Sequence, residues 1–297
     1  MNLKNERTKG FLYALFAFFF WGSFSPFFKL YSTDISSYEI LIHRIIWSVV
    51  FLAIVLYFLG GFSSVAQILR HKKIRNALLT SGFLISLNWW TYVLAVSSGQ
   101  ILEAGLGQFL TPLISMMLGA LIFKEKLSGV AKFAIFIVFL AVLLQVYALG
   151  NFPVVALMLG LSFAFYGVIR KRVKVPGIAA IFVETLLLLP LCFGYFLYLF
   201  FANQSHFDAD LNGFLMIASG VITVVPLIIY NMATARVDLS ILGFMQYIIP
   251  TMSVGFGIYF GEELGVLKFC SFALIWFAIV LVSVDGILRK RGKNATK

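Results

Sequence analysis

The chain has 297 residues, of which 61% are hydrophobic and 12% charged, with a mean hydropathy of +0.99. Soluble domains are nearer 45–50% apolar and roughly a quarter charged, so nearly all of this length belongs in a bilayer and no segment is polar enough for a soluble domain. The formal charge of +11 does not mark a nucleic-acid binder, because the basic residues sit in short clusters between apolar runs.

About 20 apolar residues cross a bilayer as a helix. Ten runs qualify: 10–31, 36–59, 76–97, 101–123, 128–149, 151–170, 177–201, 212–234, 239–260 and 265–288. The first, Phe11 to Phe20 behind Lys4 and Lys9, looks like a signal peptide. It is long, however, and no small-x-small cleavage site follows, so it reads as an uncleaved crossing. The connection 60–75 mixes Val65, Ile68, Leu69 and Ile74 with Arg70, Lys72, Lys73 and Arg75, which predicts a short helix on the membrane surface. The other connections are mostly short and make antiparallel hairpins. Cys192 and Cys270 lie in apolar runs, fit neither a disulfide framework nor a metal cluster, and read as small apolar side chains.

Charge gives the direction. One set of tails and connections carries Lys4, Arg7 and Lys9, the 70–75 cluster, Lys124 and Lys126, the cluster from Arg170 to Lys174, Arg236, and the tail from Arg289 to Lys297. That is 19 of the 23 basic residues, and the opposite connections hold Asp34, Asp208, Asp210, Glu262 and Glu263 instead. The positive-inside rule predicts both termini in the cytoplasm.

The chain repeats one phrase. Gly105-x-x-Gln108-Phe109-x-x-Pro112 returns as Gly243-x-x-Gln246-Tyr247-x-x-Pro250, and Glu125 and Glu263 follow at equal distance. Five crossings separate the copies, so the second faces the opposite way. The lysine-flanked Glu125 has a counterpart without lysines at Glu263, as an inverted duplication would leave. The expected fold is an all-α polytopic membrane protein of ten transmembrane helices, built as two inverted five-helix repeats over 1–148 and 149–297. Inverted repeats are how many secondary transporters build two-sided access around a midplane site.

This arrangement resembles the EamA domain of the drug/metabolite transporter superfamily. The segments 38–48, 102–107, 184–190 (Glu184 to Pro190) and 242–251 resemble RarD proteins in particular, and the resemblance runs along nearly the whole chain in order. It implies a multi-pass permease of the bacterial inner membrane, and it implies no substrate.

The candidate residues follow from the cost of polar groups in lipid. Pro112 and Pro250, within helices, would free the carbonyls of Gln108 and Gln246, each of which also carries an amide. Gly105 and Gly243, one turn earlier, would let another helix approach. The product is either a polar site at each kink or a kink sealed by an inter-helix hydrogen bond. Arg44 lies roughly 12 Å deep at about 1.5 Å per residue. It serves a substrate anion or a gate, or pins helix ends. His43 is a proton carrier or a packed histidine, and it shares a face with Glu39. Glu184, deep in the seventh span, is a proton relay or the static partner of Lys29 or Arg44. Asn88, Asn231, Trp21, Trp89, Tyr166 and Tyr230 would make an aromatic, amide-bearing wall suited to an amphipathic organic solute, or simply pack. Glu103 reads as a helix-start residue, Glu125 and Glu263 as hinge or cap residues.

No Walker motif, HExxH or cysteine–histidine metal spacing is present, so no ATP hydrolysis, metal, cofactor or enzymatic activity is expected. The expected function is a secondary transporter of small organic metabolites or drugs, amino-acid-like solutes among them, by alternating access with export favoured. Its partners would be the solute and the lipid bilayer, with no nucleic acid, and the protein would act as a monomer or homodimer. Proton coupling through Glu184 or His43 and facilitated diffusion fit equally well. The competing classes are a lipid-linked flippase, which the lack of basic outer loops disfavours, and a non-transporting membrane scaffold.

Overall fold

The computed structural model describes residues 3–124, 128–149, 152–234, 236 and 245–295. Among these residues all the regular structure is helical. The elements are α1 (Leu3–Gly22), α2 (Phe24–Phe28), α3 (Ser37–Phe58), α4 (Phe62–Arg70), α5 (Lys72–Ser97), α6 (Ile101–Phe123), α7 (Gly129–Leu149), α8 (Val154–Arg172), α9 (Gly177–Phe201), α10 (Leu211–Thr234), α11 (Ile248–Tyr259) and α12 (Val266–Ala295).

Among the described residues, five segments are long and apolar enough to cross a membrane: Thr8–Phe28, Ser37–Phe58, Lys72–Ser97, Gly177–Phe201 and Leu211–Tyr230. Shorter apolar helices cover Gly129–Leu144, Val154–Arg170, Ile248–Tyr259 and Val266–Val282. Large apolar side chains such as Leu121, Leu191, Phe193 and Phe277 face outward, which suits helices that satisfy their own backbone in a lipid solvent. The chain is a multi-pass membrane protein.

Local sequence explains several boundaries. Ser36 starts α3 in extended geometry, and its hydroxyl accepts the Glu39 N–H at 3.1 Å, as a Ser-x-x-Glu cap predicts. Lys124 ends α6 in the left-handed region, φ 55°. The expected surface helix is present as α4, with Val65 and Ile68 buried against α9 and Arg70 at its end. The helix that carries the first span begins ahead of it, at Leu3, where a Glu6–Lys9 pair at 3.0 Å supports the polar turn. It then breaks at Ser23, whose hydroxyl returns to the Phe20 carbonyl at 2.8 Å and competes with the helix.

The duplicated motif folds differently in its two copies. α6 runs uninterrupted through position 112, so a helix break is not found there. Pro250 is the third residue of α11, which follows a turn at Tyr247, and Met245 and Gln246 before that turn are helical. The second copy is thus interrupted by a turn one residue after Gln246. Gly243, Glu125 and the side chains of Pro112 and Asn231 lie outside the described residues.

α6 and α11 cross antiparallel. Gly257 lies against Leu102 near the start of α6, and Gly105 lies against Pro250 and Ser253. The glycine that a close approach requires is Gly107, not Gly105. A Cβ at Gly107 would sit 2.7 Å from the Ala156 carbonyl of α8, whereas one at Gly105 would find its neighbours at 3.4 Å, an ordinary contact distance.

The main packed pairs are α6 on α8, α7 on α12, α3 on α9 and α10, α5 on α8 and α9, and α1 on α10 and α11. Serines and glycines line these contacts: Ser271 bonds the Ala141 carbonyl at 3.1 Å, and Gly220 lies directly against the Trp47 backbone. Small residues substitute for hydrophobic drive between helices in lipid.

Candidate functional site

A cavity of about 400 Å³ opens among α1, α2, α3, α5, α6, α8, α9, α10 and α11. Its wall brings together Trp21, Arg44, Asn88, Trp89, Gln108, Tyr166, Glu184, Tyr230, Gln246 and Pro250, which the sequence scattered over 230 positions. Volume and mixed lining fall in the range of small-molecule sites, largely aromatic with a few convergent polar groups.

Arg44 is the most constrained of these. It is 3% exposed, and its Nε donates to the Thr223 hydroxyl at 2.7 Å. Its guanidinium lies over Trp89 at 4.6 Å and over Phe28 and Phe24 at 5.4 and 5.5 Å. Such aromatic faces attract a cation without neutralising it. Among the described residues its Nη1 is buried without a hydrogen-bond partner, and no carboxylate pairs with it.

Glu184 sits elsewhere on the wall, 1% exposed. Its partner is neither Lys29 nor Arg44 but Arg170, at 3.6 Å. The Ser81 hydroxyl donates to the same carboxylate at 2.6 Å, and Tyr166 lines the same cavity. The backbone of α5 comes in close here: a Cβ on Gly82 would lie 3.0 Å from the Glu184 carbonyl.

The two glutamines differ. Gln108 Oε1 accepts the Ser253 hydroxyl of α11 at 3.0 Å, an inter-helix hydrogen bond that also holds the amide at the cavity wall. Gln246 lines the cavity just before α11. Between them the rings of Phe109 and Tyr247 stack. Trp21 and Tyr230 pack against each other at 5.6 Å and close the α1–α10 side.

A family model for EamA-like transporters matches this chain twice, over residues 8–147 and 153–284. The chain belongs to the EamA-like transporter family. It is 35% identical to protein RarD of Escherichia coli (strain K12), over 98% of this chain and 99% of that one. It is 34% identical to the uncharacterized transporter YojE of Bacillus subtilis (strain 168), over 98% of both. An uncharacterized transporter of Pseudomonas aeruginosa, PA0485, is 38% identical over 93% of this chain and 94% of its own. A protein of known crystal structure shares the fold at a TM-score of 0.60 and 17% identity, over 94% of this chain and 98% of that one. The chain is a RarD-type EamA permease.

Within this EamA chain, some expected site residues stand apart from the cavity. His43 is 2% exposed and lies beside Phe207 (centroids 4.7 Å) and Phe196 (5.1 Å), away from the wall. Neither ring nitrogen finds a hydrogen-bond partner among the described residues. Glu39 does not bond to it; it holds the 202–210 connection instead. The His206 N–H donates to Glu39 Oε1 at 2.7 Å, and His206 Nδ1 lies 2.7 Å from Oε2. That bond, with Asp34 and Asp208 nearby, raises the His206 pKa above its usual 6.5. Asn88 reaches the wall, but its amide donates to the Leu159 carbonyl at 2.8 Å and to Ser162 at 3.0 Å, which ties α5 to α8.

Two functional details were missed. Arg170 reads in sequence as part of a basic cluster, yet it completes the Glu184 site; its only signal was i,i+4 spacing from Tyr166. The cap expected of Glu263 belongs to Glu262, whose carboxylate takes the Ile101 and Leu102 N–H groups at 2.5 and 2.8 Å at the start of α6.

Proposed function

We propose that the chain is a secondary transporter that moves small organic metabolites or drugs by alternating access through the central cavity. The observation that carries this is that Gln108 and Gln246, matched residues of the two motif copies, both line that one cavity. A site served by both copies of an inverted repeat is what alternating access needs.

The ten-helix organisation is part of the proposal: five crossings in 1–148 and five in 149–297, with both termini on the cytoplasmic face of a bacterial inner membrane. The two family matches, 8–147 and 153–284, support it. So does the packing. Exchange α1 with α8, α3 with α9, α5 with α10, α6 with α11 and α7 with α12. The contact of α5 with α8 then maps onto α1 with α10, that of α3 with α10 onto α5 with α9, and that of α6 with α8 onto α1 with α11. The pairs α3–α9, α6–α11 and α7–α12 map onto themselves.

Export is the favoured direction by resemblance to the superfamily. Proton linkage is assigned to Glu184, because it faces the cavity and its ion pair with Arg170 would open on protonation. His43, with no polar partner among the described residues and no place on the wall, is not assigned a role in it.

The test is flux of a radiolabelled metabolite pool into liposomes holding the purified protein. Flux that Arg44→Ala abolishes is the expected result. Scrambling of lipid between leaflets without solute flux contradicts the reading and favours a flippase.

A further inference from the structure

We infer that Arg44 is the anchor for the carboxylate of an amphipathic organic monoanion, whose apolar body lies along the aromatic wall of the cavity. The inference rests on the transporter reading and names the solute class for it.

Charge balance carries the argument. Among the described residues, the charged groups on the cavity wall are Arg44, Arg170 and Glu184. Arg170 and Glu184 pair at 3.6 Å and balance. Arg44 is left with one positive charge, 3% exposed. An uncompensated buried charge is strongly destabilising, and the usual remedy is a counter-ion with good hydrogen-bond geometry. The protein supplies only part of a shell: a hydroxyl from Thr223 and three ring faces. The rings block water and fix the guanidinium plane, and none of them accepts a strong hydrogen bond. Nη1 is buried and unsatisfied at a group that lines the cavity. A planar guanidinium with an unsatisfied N–H group suits a carboxylate oxygen, and an arginine is the side chain for that recognition.

The rest of the wall describes the other end of the solute. Phe18, Trp21, Phe163 and Tyr230 offer apolar surface, and Gln108 and Gln246 offer amides. A neutral solute would leave the charge of Arg44 unbalanced, and a cation would add to it. A dicarboxylate would exceed the single free charge.

The full-length protein, purified in detergent, is heated with 3-phenylpropanoate, 3-phenylpropanamide or 2-phenylethylammonium, which share the aryl body and differ in charge. The carboxylate is expected to raise the unfolding temperature, and the amide and ammonium to leave it unchanged. Arg44→Gln is expected to weaken the carboxylate's apparent affinity about tenfold or more, the scale of one lost charged hydrogen bond. Equal protection by the amide or ammonium overturns the inference, as does unchanged carboxylate affinity in Arg44→Gln, or protection by none of the three. Should Arg44→Gln not fold, the comparison of the three probes on the unmodified protein still decides. Carboxylate protection without flux in liposomes removes the transporter reading alone; flux without carboxylate protection removes this inference alone.

Discussion

Phe109 and Tyr247 stack with ring centroids 6.3 Å apart and planes inclined by 22°, and they hold the same position in the two copies of one motif. Each follows the glutamine that reaches the cavity, so the stack joins the two motif copies next to those residues. Phe109 is fully buried and also touches Phe272 and Trp276 of α12. Phe109→Ala should lower stability by about 3–5 kcal/mol, the usual loss for a deleted core ring. Tyr247→Phe keeps the stack and should stay within about 0.5 kcal/mol. Thermal unfolding in detergent distinguishes the two.

Glycine substitutions in the same helix should separate cleanly. Gly107→Ala drives a methyl to 2.7 Å from the Ala156 carbonyl and must push α8 away. A loss of about 1–3 kcal/mol is expected, as for other overpacked sites. Gly105→Ala, although it alters the repeated motif, meets only ordinary contacts and should unfold at close to the unmodified temperature.

Glu184→Gln removes the partner of Arg170 and should lower stability by about 1–3 kcal/mol, less than a fully buried pair because Arg170 is 19% exposed. Glu184→Gln with Arg170→Gln should recover part of that loss in unfolding experiments. In liposomes, the single variant should carry flux that no longer responds to an imposed pH gradient; a retained response would remove the proton role.

The connection 202–210 should respond to pH. Its His206 has a pKa raised above 6.5, first of all by the hydrogen bond to Glu39. Protonated His206 therefore holds Glu39 more tightly. The contribution is complete below about 6.5, the unfolded value, and is lost as pH rises through the higher folded value. Amide hydrogen exchange across this connection should accelerate in that window beyond the ordinary base-catalysed rise. Glu39→Gln should remove the extra acceleration, and an unchanged profile in that variant would contradict the assignment.

Much of this was legible in the chain because lipid makes polar residues conspicuous. Arg44, Glu184, Gln108 and Gln246 stand out against apolar neighbours, and all four line the cavity. What could not be read were partners and registers. Arg170 is hidden in a basic cluster, and only the packing of both α8 and α9 on α5 brings it to Glu184. Glu262 and Glu263 are adjacent, and which one caps α6 depends on how the turn after α11 ends. The matched prolines predict the same geometry in both motif copies, while a turn at Tyr247 interrupts the second and α6 runs through the first. His43 shares a helix face with Glu39, yet the 202–210 connection supplies both His206 for Glu39 and Phe207 for His43, a long-range fact that periodicity does not contain.

The central claim is that one cavity serves both motif copies during transport. Its most direct test is an untargeted screen of metabolite uptake and efflux in cells carrying the unmodified gene, no gene, Gln108→Ala or Gln246→Ala. The account predicts a set of solutes whose distribution depends on the gene, with both variants disturbing that same set. Solutes disturbed by only one variant, or no gene-dependent solutes at all, would contradict it.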